Sequence, residues 1–234
     1  MAAFPASLHC VAILALSLAV ACAITIALDE WRHPQKMTVM AVVWPLTALF
    51  GSIIWLAIYY RWGRSGGGGG GDGDTPMAVS VLKGASHCGA GCTLGDMVVE
   101  GMAVAVPSLA VWFGYGSLFD TRMFALWIPD FVIAFLFGIA FQYWSIAPMR
   151  DLSVRQGLKA ALKADVLSIS AWQVGMYGGM ALIQFLWFRP HFGGLAEATQ
   201  PEFWFAMQLA MLAGFGTSYP VNWLLVRTGI KEAM

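Results

Sequence analysis

Six stretches of the chain stay apolar for about the twenty residues that a helix needs to cross the hydrocarbon core of a bilayer. They run at approximately 8–28, 38–60, 97–115, 124–147, 165–188 and 202–226. Short polar segments separate them, and tryptophans gather near their ends: Trp31, Trp62, Trp127, Trp144, Trp187, Trp204 and Trp223. Such aromatic girdles mark the membrane–water interface. The pattern predicts an all-α polytopic membrane bundle of about six transmembrane helices.

Between these runs the polar segments define an organisation. Residues 1–61 form a two-helix transmembrane hairpin closed by the polar connection Asp29 to Lys36, which contains Pro34. Residues 62–76 form a linker carrying six consecutive glycines, Gly66 to Gly71, a composition that favours flexible coil. No strand precedes this glycine run and no Gly-Lys-Ser/Thr follows it, so it is not a phosphate loop. Residues 77–234 form a four-helix transmembrane domain. Within it, 149–164 reads as a basic amphipathic helix at the membrane surface, with Arg155, Lys159 and Lys163 opposite Leu152, Leu158 and Leu162. The six runs do not divide into two similar halves, so an inverted repeat is not indicated.

Composition agrees with a membrane protein. The 234 residues are 59% hydrophobic and 11% charged, against roughly a quarter charged in ordinary soluble domains. Mean hydropathy is +0.69. Net charge is zero, which gives no basic footprint for nucleic acid. The first run has no Lys or Arg ahead of it and is long for a signal-peptide core, although Ala21-Cys22-Ala23 would serve as a cleavage site. Six spans group nine basic residues on the side of both termini and four on the other. The positive-inside rule then predicts that both termini are cytoplasmic, in the bacterial inner membrane.

The chemistry concentrates in one run, Ser86-His87-Cys88-Gly89-Ala90-Gly91-Cys92-Thr93-Leu94-Gly95-Asp96. Cys88, Cys92, Asp96 and Glu100 recur every fourth residue, close to one face of a helix. Six spans place the run in a cytoplasmic loop at the mouth of the third, where thiols stay reduced. Thiolates and thioethers select Cu(I), Zn(II) and similar ions. His87, Cys88 and Cys92 are candidate ligands, with Asp96 and Glu100 as the next stations inward. Met176, Met180, Met207 and Met211, at helical spacing, are candidate ligands within the membrane. Glu100 and Asp130 are ionisable groups inside spans, where such groups are costly and usually functional; they are candidate proton or ion carriers. Each has an ordinary alternative: a buried cysteine packs as a small hydrophobe, a methionine stripe fills a core, and a carboxylate can sit at the interface.

The fifth and sixth spans carry further polar groups. Ser168, Ser170 and Gln173 lie in the one, and Thr217, Ser218 and Asn222 beside Pro220 in the other. They serve either as interhelical glue or as the lining of a solute path. Gly175-x3-Gly179 permits a close helix approach. No His-Glu-x2-His, Gly-x-Ser-x-Gly or nucleotide fingerprint is present, so no catalytic set is assigned.

The motif His87-Cys88-Gly89-Ala90-Gly91-Cys92-Thr93-Leu94-Gly95-Asp96 resembles that of a bacterial integral-membrane family described as a domain of unknown function. So do Ala171 to Gly178 and Met211 to Trp223. The resemblance covers roughly residues 35–234 and implies a bacterial membrane protein without naming a substrate. The sequence therefore predicts a transporter or channel for a soft metal ion, Cu(I) before Zn(II), with a His/Cys site at the cytoplasmic mouth. Partners would be the lipid bilayer and the metal ion; a homo-oligomer stays open. A membrane thiol oxidoreductase using Cys88 and Cys92 and a non-catalytic assembly subunit are the two other classes compatible with the sequence.

Overall fold

The computed structural model describes residues 2–35, 37–64, 76–150 and 153–231. Among these the chain is helical: α1 (Ala6–Arg32), α2 (Met40–Ile58, continued by a π-helical turn Tyr59–Gly63), α3 (Met77–Ala105), α4 (Ser108–Trp112), α5 (Arg122–Arg150), α6 (Val154–Leu182, continued by π-helical Ile183–Phe188), α7 (Arg189–Phe192) and α8 (Pro201–Arg227). Five of the helical segments are long and apolar enough to cross a membrane: Ala6–Arg32, Met40–Gly63, Arg122–Ser145, Asp165–Phe192 and Pro201–Arg227. The glycine run of the expected linker lies outside the described residues.

The second of those segments does not run straight. Ser52 has φ 47 and ψ −129, a non-helical conformation inside α2. The two halves fold back on one another around it. Trp44 and Tyr59 meet edge to face with ring centroids 5.8 Å apart, whereas a straight helix would hold them ~22 Å apart. Gly63, at the segment's end, packs against the Trp44 indole near its start. Both ends therefore lie at the C-terminal end of α1, where Tyr59 and Arg64 donate to Asp29 at 2.8 and 2.9 Å. The stretch expected over 38–60 as one straight span is a hairpin of two half-helices whose tip, Phe50 to Ser52, is packed among the other helices. Hydropathy does not detect the reversal because nearly all residues from Met40 to Ile58 are apolar on both arms of the hairpin.

The third expected span is also redrawn. Helix α3 starts at Met77 rather than at residue 97, and ends before Pro107. The His/Cys motif is not a loop ahead of a helix but the middle of a 29-residue helix. Its glycines are contact points. A Cβ on Gly91 would lie 2.7 Å from the Gly138 backbone, and one on Gly95 would lie 2.7 Å from Ala134 of α5. Small residues let the two backbones close up, which offsets the low helix propensity of glycine. Gly175 and Gly179 do the same for α6 against α8, meeting Ala213 and Ala210, as their spacing predicts.

Pairwise contacts fix the direction of each helix. His9 near the start of α1 meets Glu202 at the start of α8. Tyr219 near the end of α8 donates to Ala78 at the start of α3. Arg122 at the start of α5 donates to Ala103 at the end of α3. Helices α1, α3, α5, α6 and α8 traverse the bundle, while α2 enters and leaves at one end. The described N-terminus and Lys231 consequently lie at opposite ends. The basic segment Arg155 to Lys163, expected as a separate surface helix over 149–164, instead forms the first turns of α6, capped by Ser153. A main apolar core runs from Cys22, Trp44 and Phe50 to Cys92, Trp172 and Met211, and a smaller one packs α4 through Leu109 and Ala110 against Val99, Ala103 and Leu126.

Candidate functional site

An unbroken α3 places Cys88, Cys92, Asp96 and Glu100 in a column ~18 Å long. At one end, Cys88 is fully buried and belongs to a polar cluster. Its Sγ lies 2.8 Å from Ser168 Oγ, 3.6 Å from Asp165 Oδ1 and 3.6 Å from the Lys231 ammonium. Lys231 itself, just beyond α8, donates to Asp165 at 2.8 Å and to the Gly84 carbonyl at 3.2 Å. Both members of this ion pair are wholly buried. Burial pushes the Lys231 ammonium down, but Asp165 and Cys88 outweigh that and hold its pKa above the ordinary lysine value. Asn222 and Ser218 continue the network from α8 through Ser168.

His87 does not face this cluster. Its Nδ1 stands 3.4 Å from Ser145 Oγ on α5, and its Nε2 is buried without a partner. Cys92 is fully buried in the apolar core. The structure therefore does not gather His87, Cys88 and Cys92 around one point. Among the described residues, no three His, Cys, Asp or Glu side chains are arranged to hold a metal ion.

In mid-bundle the column meets α5. The buried side chains of Asp96 and Asp130 stand side by side, lining one small cavity between α3 and α5. Two carboxyls buried this close together resist ionising at the same time. Asp96 is 2% exposed and Asp130 4%. Tyr177 of α6 donates to Asp130 Oδ2 at 2.8 Å, while its ring stacks on Trp127. Asp96 Oδ2 and Asp130 Oδ1 remain buried without a donor. A cavity of about 10 Å³ lies against the pair, room for one water-sized occupant. Glu100, Met176, Met180 and Met207 also line it. Of the residues singled out in the sequence, the structure thus brings together Asp96, Glu100, Asp130 and three of the four methionines. Met211 stands apart, its sulfur accepting from Trp172 Nε1 at 3.4 Å.

Asp165, Lys231 and Tyr177 were not legible as site residues. Asp165 opens the fifth apolar run, and Lys231 reads as one of two tail cations, with Arg227. The available signal was that both stand at the same end of the bundle as Cys88. Two buried glutamines, Gln142 and Gln173, leave both side-chain amide atoms unpartnered in the interior. With His87 Nε2 and Asp165 Oδ2, they leave unsatisfied polar atoms on α3, α5 and α6 between the two clusters. Buried polar atoms ordinarily find a protein or water partner, and exceptions concentrate where function requires them.

Set against known families, residues 79–231 match the model of a domain of unknown function (DUF4396), and the chain belongs to that family. The match begins after the glycine-rich segment and spans α3 to Lys231, so both polar clusters lie within it while α1 and the α2 hairpin lie outside. No curated protein and no solved structure shows significant similarity to the chain.

Proposed function

We propose that this protein is a proton-coupled integral membrane transporter in which the Asp96–Asp130 pair carries the coupling proton. The observation behind this reading is the pair itself: two buried carboxyls side by side, contributed by two traversing helices and reached by Tyr177 from a third. Ionisable groups at such depth mark ion pathways and proton relays. The α2 hairpin adds support. Irregular backbone within a membrane is tolerated where it is buried in protein or lines a cavity, and transporters use broken helices there.

The helix directions give this transporter an orientation. Of the described Lys and Arg residues, only Arg122 and Arg189 belong to the end where α8 begins. The others belong to the Lys231 end. The positive-inside rule then makes the Lys231 end cytoplasmic. Five helices cross, α2 enters from and returns to the cytoplasm, and the N-terminus faces outward, in a bacterial inner membrane. Reconstitution tests the coupling role. Liposomes carrying the chain and an internal pH dye should pass protons, and Asp96→Asn and Asp130→Asn should each lower the flux at least tenfold. Wild-type flux in both variants would sink the reading.

A soft monovalent cation as cargo has one specific observation in its favour. Three thioethers, Met176, Met180 and Met207, border the carboxylate cavity, and thioethers favour Cu(I). The cytoplasmic thiols add nothing to it, since the Lys231 ammonium stands against Cys88. Elemental analysis after Cu(I) or Ag(I) loading decides this reading. Bound metal should fall in the triple Met→Leu variant at these positions; equal binding would exclude the thioethers.

A further inference from the structure

A second and larger cavity, of about 300 Å³, lies beside Asp96 on the side away from Asp130's helix. Its volume is at the lower end of small-molecule sites. The tip of the α2 hairpin contributes Leu49 and Phe50; α1 contributes Leu16 and Ala19; α8 contributes Met207 and Met211. These walls are apolar. The polar neighbours are few and partly engaged: Thr93 donates to the Gly89 carbonyl, and Gln208 donates to the Leu49 carbonyl. Asp96, with its unpartnered Oδ2, is the one carboxylate of the lining.

We propose that this cavity binds hydrophobic monovalent cations, and that these are the substrate class of the proton-coupled transporter described above, on which this inference rests. An anion would meet a carboxylate and no cationic side chain, and a sugar would meet too few polar groups for its hydroxyls. A neutral apolar molecule would leave a buried carboxylate uncompensated, at the cost attached to any buried unpaired charge. A cation with an apolar body fills the walls and pairs with Asp96. Because the same carboxyl belongs to the pair proposed to carry the coupling proton, cation binding releases one proton and cation departure takes one up. Charge balances at every step. The titratable groups around Asp96 are Asp130 of α5, Tyr177 of α6, and Cys92 and Glu100 of α3; the lining from α1, α2 and α8 holds none.

Equilibrium binding to the purified full chain in detergent tests this directly. The probe is radiolabelled tetraphenylphosphonium, and the control is tetraphenylborate, of nearly the same shape and opposite charge. Expected are saturable binding of the cation, weakening as pH falls, no saturable binding of the anion, and at least a tenfold loss of affinity in Asp96→Asn. Ala19→Phe, which fills the cavity from α1, should also abolish binding. Equal affinity for the anion in the wild type would overturn the proposal without reference to any variant. So would pH-independent binding, absence of saturable binding, or undiminished binding in Asp96→Asn. Proton flux in liposomes separates the two readings. Asp96-dependent flux without cation binding overturns only this inference, whereas wild-type protein that passes no protons, with or without bound cation, overturns the coupling role.

Discussion

Gln208 on α8 donates to the carbonyl of Leu49 at 2.7 Å, so a neighbouring helix ties down the reversal of the α2 hairpin. Ser52 interrupts the helical hydrogen-bond ladder there, and a freed backbone carbonyl in an apolar interior has no water to turn to. Gln208→Leu keeps the side-chain bulk and removes the donor. Leaving a buried acceptor unmet costs about 1–3 kcal/mol. Denaturant unfolding in detergent should show a loss of that order, and an unchanged midpoint would mean that the carbonyl has another partner.

Ser52 occupies a positive φ of 47, which a side chain with a Cβ adopts only under strain. Glycine takes such values freely. Ser52→Gly should therefore stabilise the protein by about 1 kcal/mol, while the β-branched Ser52→Val should destabilise it by more. In a straight α2 Ser52→Gly would destabilise instead, because glycine weakens a helix interior, and Ser52→Val would be close to neutral. The sign of the change in unfolding midpoint for Ser52→Gly thus reports the presence of the reversal.

The same two residues show where sequence reading stops. The apolar runs that become α1, α5, α6 and α8 were legible because lipid-facing and core-facing positions are both apolar over a membrane-length stretch. The α2 run satisfied the same criterion and yet turns back, since hydropathy carries no direction. Helix α3 escapes the same criterion for the opposite reason. Its glycines and polar residues lower its hydropathy, although they are what lets it pack at the centre against Gly138 and Ala134. The spacing of Cys88, Cys92, Asp96 and Glu100 did reveal their common helical face. What they face was not legible, because Asp130, Asp165, Tyr177 and Lys231 are brought to them by long-range packing alone.

Lys231 and Asp165 form a pair with no exposure on either side chain. Removing one partner of a buried pair leaves a charge without compensation and costs about 3–5 kcal/mol. Lys231→Met and Asp165→Asn should each destabilise the protein on that scale. The double variant should be less destabilised than the sum of the two, since it leaves no lone charge behind. Additive losses in a double-mutant cycle would show that the two side chains act independently.

The direction of the traversing helices leads to the last expectation, that the two termini lie on opposite sides of the membrane. The hairpin returns to the end at which it entered, as Tyr59 and Arg64 meeting Asp29 require. That leaves an odd number of crossings. With α2 removed from the count, Arg61 and Arg64 share an end with Arg32, and the charge asymmetry between the two ends becomes steeper than six spans would give. Single cysteines introduced into a chain lacking Cys10, Cys22, Cys88 and Cys92 can check this in intact cells. A cysteine at Ala3 should react with a membrane-impermeant maleimide added outside. One at Thr228 should react only after the membrane is opened. Protection of both positions from external reagent would restore six crossings and would require the α2 segment to run straight through the bilayer, against its Trp44–Tyr59 contact.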